Sequence, residues 1–300
     1  MEPTIRAALA VALALLAWLA APAAAQDTPQ TIAARSKVKI EYRAPTDPQY
    51  RPILDRLRQR QVLERLQSFL APLRLPSDLT VLTAQCGGEL TLPYKRGAPV
   101  TVCYEYVALI EKVAPPAQPP DQSIKAVGGA LVNRDIALVG PFVQLVLRDV
   151  SRAAIDMLGI PVWGNIEDAA DYLAAFLMLQ FGADVAEKTI FGTAYFFTQI
   201  DSPSVDFASI RPHVEQRYYN LLCIAVGSNF VRYSMFLPIL RQETAADLPS
   251  RRVASCLQLN SPEHSEYNKI RYAFDTLILK NYVDPDLLKQ VRATDWLKND

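Results

Sequence analysis

The sequence predicts an α+β fold in which a small N-terminal β-sheet with a hairpin precedes a mainly helical body. Val38 to Tyr42 alternate apolar with polar residues, which is typical of a short strand. Between Tyr50 and Leu73 the apolar residues recur at helical spacing among many Arg and Glu, which indicates an amphipathic helix packed by one face. From about residue 124 onward the pattern is helical to the end of the chain.

The first 25 residues have the order of a cleavable secretory signal. Arg6 precedes the apolar run 7–20, and three alanines end at Ala25. The run is shorter than the roughly 20 residues that a membrane-spanning helix needs. We therefore expect residues 1–25 to be removed and the mature protein to be periplasmic or secreted in a bacterium, with no membrane span.

The mature chain of about 275 residues is long enough for a sizeable core, and half of the composition is hydrophobic. Residues 26–47 are expected to form a flexible leader that ends in the short strand, and residues 48–300 to form a single domain. Lys and Arg number 31, as do Asp and Glu, and the basic residues are scattered. This distribution gives no indication of nucleic-acid binding.

The predicted domain has two parts. Its first part, residues 48–123, combines the amphipathic helix, a strand over Leu79 to Ala84, and a hairpin in which residues 89–94 turn through 95–97 into residues 100–104. In the second part, residues 124–300, Pro141 suits the first turn of a helix and Gly159 suits its end. Further helices are predicted over residues 166–181, 186–199, 212–226, 229–240 and 262–282.

Four cysteines in an exported chain are expected to pair. The predicted hairpin favours Cys86 with Cys103, which leaves Cys223 with Cys256. Four cysteines allow three connectivities, and spacing alone does not choose among them. A zinc site built from these thiols is the weaker alternative, because no C-x-x-C pair is present.

The residues that could carry chemistry lie between 142 and 171. Arg148, Arg152 and Asp156 are four residues apart and share one helix face, with Asp149 beside them. Glu167 and Asp171 repeat that spacing on the next predicted helix. Since a short turn makes the two helices neighbours, the arginines are expected to face the carboxylates; an ordinary solvated helix face is the alternative.

This stretch resembles a family of bacterial exported proteins described as putative metallopeptidases, which is related to the thermolysin-like zincins. The family motif runs H-E-x-x-H, then P-V-x-G, then E-D-A-A-D. The chain retains much of this frame, and the resemblance extends to residues 103–105 and 216–223. The matching positions are Phe142, Ala153, Ile155, Asp156, Pro161, Val162, Gly164, Glu167, Asp168, Ala169, Ala170 and Asp171.

The chain departs from the family at the residues that perform the chemistry. Arg148 and Arg152 occupy the positions of the two zinc-binding histidines, and Asp149 occupies that of the general-base Glu. A protonated guanidinium has no lone pair to give a metal, and Asp is shorter than Glu by roughly 1.5 Å. Of the family's site, the resemblance leaves Glu167 as the third ligand and Asp171 as its partner.

The resemblance implies a zincin-like fold that would hold zinc in the family, whereas no cofactor is expected here. The two arginines are expected to supply the positive charge that a metal would have supplied, and so to form ion pairs. Only two histidines are present, His213 and His264, so a three-histidine site is excluded.

The leading hypothesis is therefore a catalytically inactive pseudopeptidase that binds a peptide or an anionic group near Arg148 and Arg152. The alternative is an active hydrolase with an unorthodox metal site made of Asp149, Glu167 and His213. A third hypothesis is a purely structural envelope protein, which needs only the disulfide-linked body.

Overall fold

A computed structural model describes residues 29–117, 123–200, 212–240, 248–258 and 264–293. The predicted signal peptide lies outside these ranges. The strands are β1 (Val38–Tyr42), β2 (Leu79–Ala84), β3 (Val100–Cys103), β4 (Ile124–Lys125) and β5 (Leu131–Val132). The helices are α1 (Pro29–Ala34), α2 (Arg51–Arg60), α3 (Val62–Leu70), α4 (Tyr104–Val113), α5 (Arg134–Met157), α6 (Ile166–Met178), α7 (Ala183–Gln199), α8 (Val214–Ser228), α9 (Phe230–Tyr233), α10 (Leu237–Leu240), α11 (Leu248–Leu257), α12 (Glu266–Ala273), α13 (Lys280–Tyr282) and α14 (Pro285–Ala293).

The α+β class is confirmed, but the predicted hairpin is wrong. The main sheet is three-stranded and parallel in the order β1-β2-β3, with Val38 opposite Leu79 and Val81 opposite Val100. Residues 89–94 form no strand. The carboxylate of Glu105 instead accepts hydrogen bonds from the backbone N–H groups of Cys86 and Gly88, so a side chain holds this loop where strand pairing was expected.

The N-terminal segments differ from prediction in two places. The predicted helix over 50–73 is two helices, because Gln61 adopts a left-handed conformation (φ 51°) between α2 and α3. Part of the predicted flexible leader forms α1, whose Ile32 is buried against Leu287 and Val291 of α14. The predicted strand over Val38–Tyr42 is confirmed as β1.

The centre of the helical body is α5, a helix of 24 residues. It begins at Arg134, since the side chain of Asn133 accepts a hydrogen bond from the N–H of Ile136. Pro141 therefore lies inside the helix, and its predicted first-turn position is wrong. Gly159, at φ 62°, follows the end of α5 as predicted, because a left-handed residue stops a helix at little cost when it is glycine.

Later elements follow the helical prediction with local differences. A short antiparallel pair, β4 and β5, precedes α5. The predicted helix over 229–240 consists of α9, a 3-10 turn (Ser234–Phe236) and α10, and the one over 262–282 contains a π-helical segment, Phe274–Leu279. Helices α4, α11 and α14 were not predicted.

The core lies between α5 and its neighbours. Helix α5 packs against both α6 and α7, and α8 packs against α6 and α7. Both predicted disulfides, Cys86–Cys103 and Cys223–Cys256, are confirmed. Among the described helices, none is long and apolar enough to cross a membrane.

Candidate functional site

Two helices present the candidate residues to each other. Gln144, Arg148 and Arg152 follow one another at four-residue spacing along α5, and Glu167 and Asp171 do so along α6. The side chain of Asn165 accepts a hydrogen bond from the N–H of Glu167 at 2.9 Å, which fixes the start of α6 beside the end of α5. The predicted arrangement of facing arginines and carboxylates is thus present.

The guanidinium of Arg148 contacts three carboxylates. Its Nη1 donates to Asp149 Oδ1 at 2.8 Å, its Nη2 donates to Glu167 Oε2 at 2.5 Å, and its Nε lies 3.3 Å from Asp171 Oδ1. The Arg148 side chain is 10% exposed and that of Asp171 is 6% exposed. At this burial the ion pairs are shielded from water, and every nitrogen of Arg148 is close to an acidic group.

A third arginine, which the sequence reasoning did not assign to the site, comes from α8. Arg217 donates from Nε to Asp171 Oδ2 and from Nη2 to Asp171 Oδ1, each at 2.9 Å. Gln144 donates to the same carboxylate at 2.8 Å. Two signals in the sequence pointed to these residues: Gln144 is one helical turn before Arg148, and Arg217 lies in the stretch 216–223 that resembles the family.

Arg152 lies at the more exposed end of the cluster. Its Nε donates to Glu167 Oε1 at 3.2 Å, and its guanidinium lies over the ring of Tyr94, 5.7 Å from the centroid. Its Nη1 is buried without a hydrogen-bond partner among the described residues, although the side chain as a whole is 20% exposed. Arg148 Nε also lacks a hydrogen-bond partner among the described residues, but Arg152 is the more exposed of the two arginines and pairs with one carboxylate rather than three.

Two other acidic residues have different environments. Asp156, which was predicted to share the face of Arg148 and Arg152, instead accepts two hydrogen bonds from Arg96 at 2.9 Å, and these lower its pKa. Arg96 belongs to the loop before β3, which brings a cation from outside the helix pair. Asp168 has one buried oxygen without a partner among the described residues, and burial raises its pKa.

Burial raises the pKa of Asp149 to about 6, while the charge of Arg148 opposes the shift. Glu167 and Asp171 add to it by repulsion. A carboxylate that exchanges its proton near neutrality can accept one from a neighbour. However, its contact is with the Arg148 guanidinium, which does not give up its proton.

The residues present do not fit the zinc ion that the family resemblance implies. Arg148 and Arg152 donate N–H groups to Glu167, so the oxygens that a metal would need are already hydrogen-bonded. His213, the third residue of the alternative hydrolase site, lies at the N-cap of α8, and its Nδ1 is 3.9 Å from Glu215 on the same helix.

Residues 42–278 match the family described as "Putative metallopeptidase". The chain belongs to this family. The match covers all of the clustered residues, from Gln144 to Arg217, and confirms the resemblance found in the sequence. No curated protein and no solved structure matches the chain.

Replacing Arg148 with methionine should lower the free energy of unfolding by about 3–5 kcal/mol, because it leaves Asp149, Glu167 and Asp171 short of a buried cation. The measurement is urea denaturation of the disulfide-intact protein near neutral pH. R96M is the matched control, since it removes an ion pair whose arginine is 74% exposed, and its effect should be much smaller. Equal losses in the two variants would contradict the central role of Arg148.

The stability of D149N relative to the unsubstituted protein should rise between about pH 4.5 and about pH 7.5. The folded pKa of Asp149, about 6, lies above its ordinary value of 3.8, so between these two values the folded state holds a proton that the unfolded state has released, and this contribution is lost as the pH rises through about 6. The unsubstituted protein therefore loses stability as the pH rises through the interval, whereas asparagine does not titrate.

D156N serves as the control for this pH dependence. Arg96 lowers the pKa of Asp156 below its ordinary value, so this carboxylate stays ionised throughout the interval. The effect of D156N on the free energy of unfolding should then be constant between the two pH values. A constant difference for D149N as well would show that Asp149 does not titrate there.

Proposed function

We propose that this chain is an exported, catalytically inactive member of its family that acts by binding. The observation that carries the proposal is the Arg148 guanidinium, which contacts Asp149, Glu167 and Asp171 together. A zinc peptidase needs ligand atoms with free lone pairs and an open position for water. In this chain the positive charge comes from the protein itself.

Charge balance supports this interpretation. Asp149, Glu167 and Asp171 each form an ion pair with at least one of Arg148, Arg152 and Arg217, and Asp168 lies in the field of the same groups. Carboxylates this close to each other repel strongly unless cations lie between them. Because arginine stays protonated at any physiological pH, its compensation does not depend on the supply of a metal.

The zincin-like fold is part of the same proposal. Glu167 and Asp171 would correspond to the third ligand of the family and its supporting carboxylate, and they lie one turn apart on the helix that follows the R-D-x-x-R segment. The order of helices and acidic residues is thus kept, while the two histidine positions carry arginine. Export is supported by the two disulfides, which persist in oxidising compartments.

The binding surface we propose is centred on Arg152 rather than Arg148. Arg148 lies against three carboxylates, so a further anion there would meet more negative charge than positive. Arg152 keeps one unpartnered N–H group, lies against Tyr94, and is on the helix that leads into the loop of Trp163, which is 98% exposed. A cation with an aromatic neighbour suits a peptide that carries an acidic group.

The alternative of an active hydrolase has less support. It needs His213 to join Asp149 and Glu167, but the ion-pair distance from His213 is to Glu215, and Asp149 is hydrogen-bonded to Arg148. No observation on these residues favours hydrolysis over binding.

Metal analysis of the mature protein, purified from the periplasm without chelators, should find no stoichiometric zinc. The control is R148H/D149E/R152H, which restores the family motif and should gain about one zinc ion per chain while Glu167 supplies the third ligand. Stoichiometric zinc in the unsubstituted protein would overturn the proposal and turn attention to His213. A control that folds but gains no zinc would contradict the zincin-like arrangement.

The proposed binding surface can be probed with a short polyglutamate peptide at low ionic strength, followed by calorimetry. R152Q should weaken binding by about fivefold, the effect of one partly exposed ion pair of about 1 kcal/mol. R51Q is the matched control, because Arg51 is 61% exposed and pairs only with its helical neighbour Asp55 in the ion pairs described here. Equal affinity of R152Q and the unsubstituted protein would place binding elsewhere.

A further inference from the structure

A second candidate site lies on another face of α5. The described residues surround an apolar cavity of about 670 Å³, which Val150, Ser151 and Ala154 of α5 line. By helical spacing Val150 and Ala154 face away from Arg148 and Arg152, and Ser151 lies between the two faces. The other walls come from α3, α6, the N-terminus of α7, the π-helical segment and α14. Ligand pockets in proteins commonly measure about 300–1,000 Å³.

The cavity lies where three separate hydrophobic clusters meet. Val150 and Phe181 belong to the main core, Leu173 and Ile278 to a second cluster, and Val291 to a third. Their apolar surfaces line one open volume instead of packing fully against each other. An elongated apolar molecule in this volume would contact all three clusters and remove that surface from water.

Two features of the cavity wall favour negative charge. Gly182 to Val185 line it, and they form the N-cap and first turn of α7, a helix of 17 residues. Gly182 makes no side-chain cap, so the first N–H groups of the helix have no capping side chain to accept from them. Arg292 also lines the cavity, and no carboxylate among the described residues forms an ion pair with it. Asp184 is 74% exposed and pairs with Arg232.

An independent observation on α5 also indicates a missing polar partner. Ser151 lines the cavity, is 1% exposed, and its hydroxyl has no hydrogen-bond partner among the described residues. Buried hydroxyls in folded proteins almost always have a partner, because leaving one unpaired is costly. A ligand with a polar group at one end would provide one.

We propose that this cavity binds a long-chain carboxylate, with its acyl chain among the three clusters and its head group at the first turn of α7 beside Arg292. The walls are mainly apolar and include the uncapped first turn of α7 and Arg292, which matches a single-chain anionic amphiphile. The site shares no side chain with the arginine cluster, so it does not depend on whether the family site binds metal.

The test is the displacement of a fluorescent acyl probe from the mature protein after passage over a lipid-removing resin. Palmitate should displace the probe at a stoichiometry of one palmitate molecule per chain. Hexadecanol, which has the same chain without the charge, should bind more weakly. R292Q should lower the affinity for palmitate about fivefold, which is the factor expected for one partly exposed ion pair. The affinity for hexadecanol should be unchanged.

Two further variants separate the site from the surface in general. R271Q is the charge control, because Arg271 is 61% exposed, pairs with Asp275, and does not line the cavity. R271Q should change neither the affinity for palmitate nor the affinity for hexadecanol. L177W adds bulk to the cavity wall and should weaken both ligands about tenfold. If L177W fails to fold, as judged by circular dichroism, the comparison of R292Q with R271Q still decides, since both arginines are exposed.

Three results would overturn the proposal. The first is the absence of saturable displacement by palmitate from the unsubstituted protein. The second is equal loss of affinity in R292Q and R271Q, which would indicate attraction by net charge alone. The third is a stoichiometry of one palmitate per two chains together with a dimer in light scattering. This result would mean that a second copy of the chain covers this face.

Discussion

The interaction on which the structure depends most is a set of buried ion pairs between arginines and carboxylates. These ion pairs hold several acidic side chains close together inside the helical body. Arg148 contacts Asp149, Glu167 and Asp171 at once, and Arg217 from α8 completes the charge on Asp171. Removing Arg148 would leave Asp149 without its ion-pair partner and weaken the compensation of Glu167 and Asp171, and this is far more costly than losing an exposed pair. The ion pairs therefore fix how α5, α6 and α8 lie relative to one another, while the apolar residues around them supply most of the burial energy.

The same central helix serves two chemically different environments. One face of α5 carries Gln144, Arg148 and Arg152 toward the carboxylates of α6, and another carries Val150 and Ala154 toward the apolar cavity. A helix 24 residues long can do this because its side chains project in all directions and neighbouring elements cover each face. Changes at the charged face need not alter the cavity, so the two proposed binding roles can be tested separately.

Much of the fold and part of the site could be predicted from sequence. The α+β class, the strand over Val38–Tyr42, the end of α5 near Gly159 and the pairing of all four cysteines followed from local patterns and cysteine number, although the hairpin that favoured Cys86 with Cys103 was wrong. The pairing of Arg148 and Arg152 with Glu167 followed from four-residue spacing on two adjacent helices. The family followed from the motif frame. These are properties of residues close together in the chain, where periodicity and spacing constrain geometry.

The tertiary structure decided what depends on contacts between distant residues. The sequence pattern did not distinguish a hairpin from the parallel pairing of β2 with β3, because an apolar strand is compatible with either partner. Asp156 shares a helix face with Arg152, yet it binds Arg96, some 60 positions earlier. Arg217 reaches Asp171 across 46 positions. Sequence by itself thus determined which helix faces carry charge and that arginine stands at residues 148 and 152, whereas three-dimensional packing selected each partner, because distance in space is set by the fold as a whole.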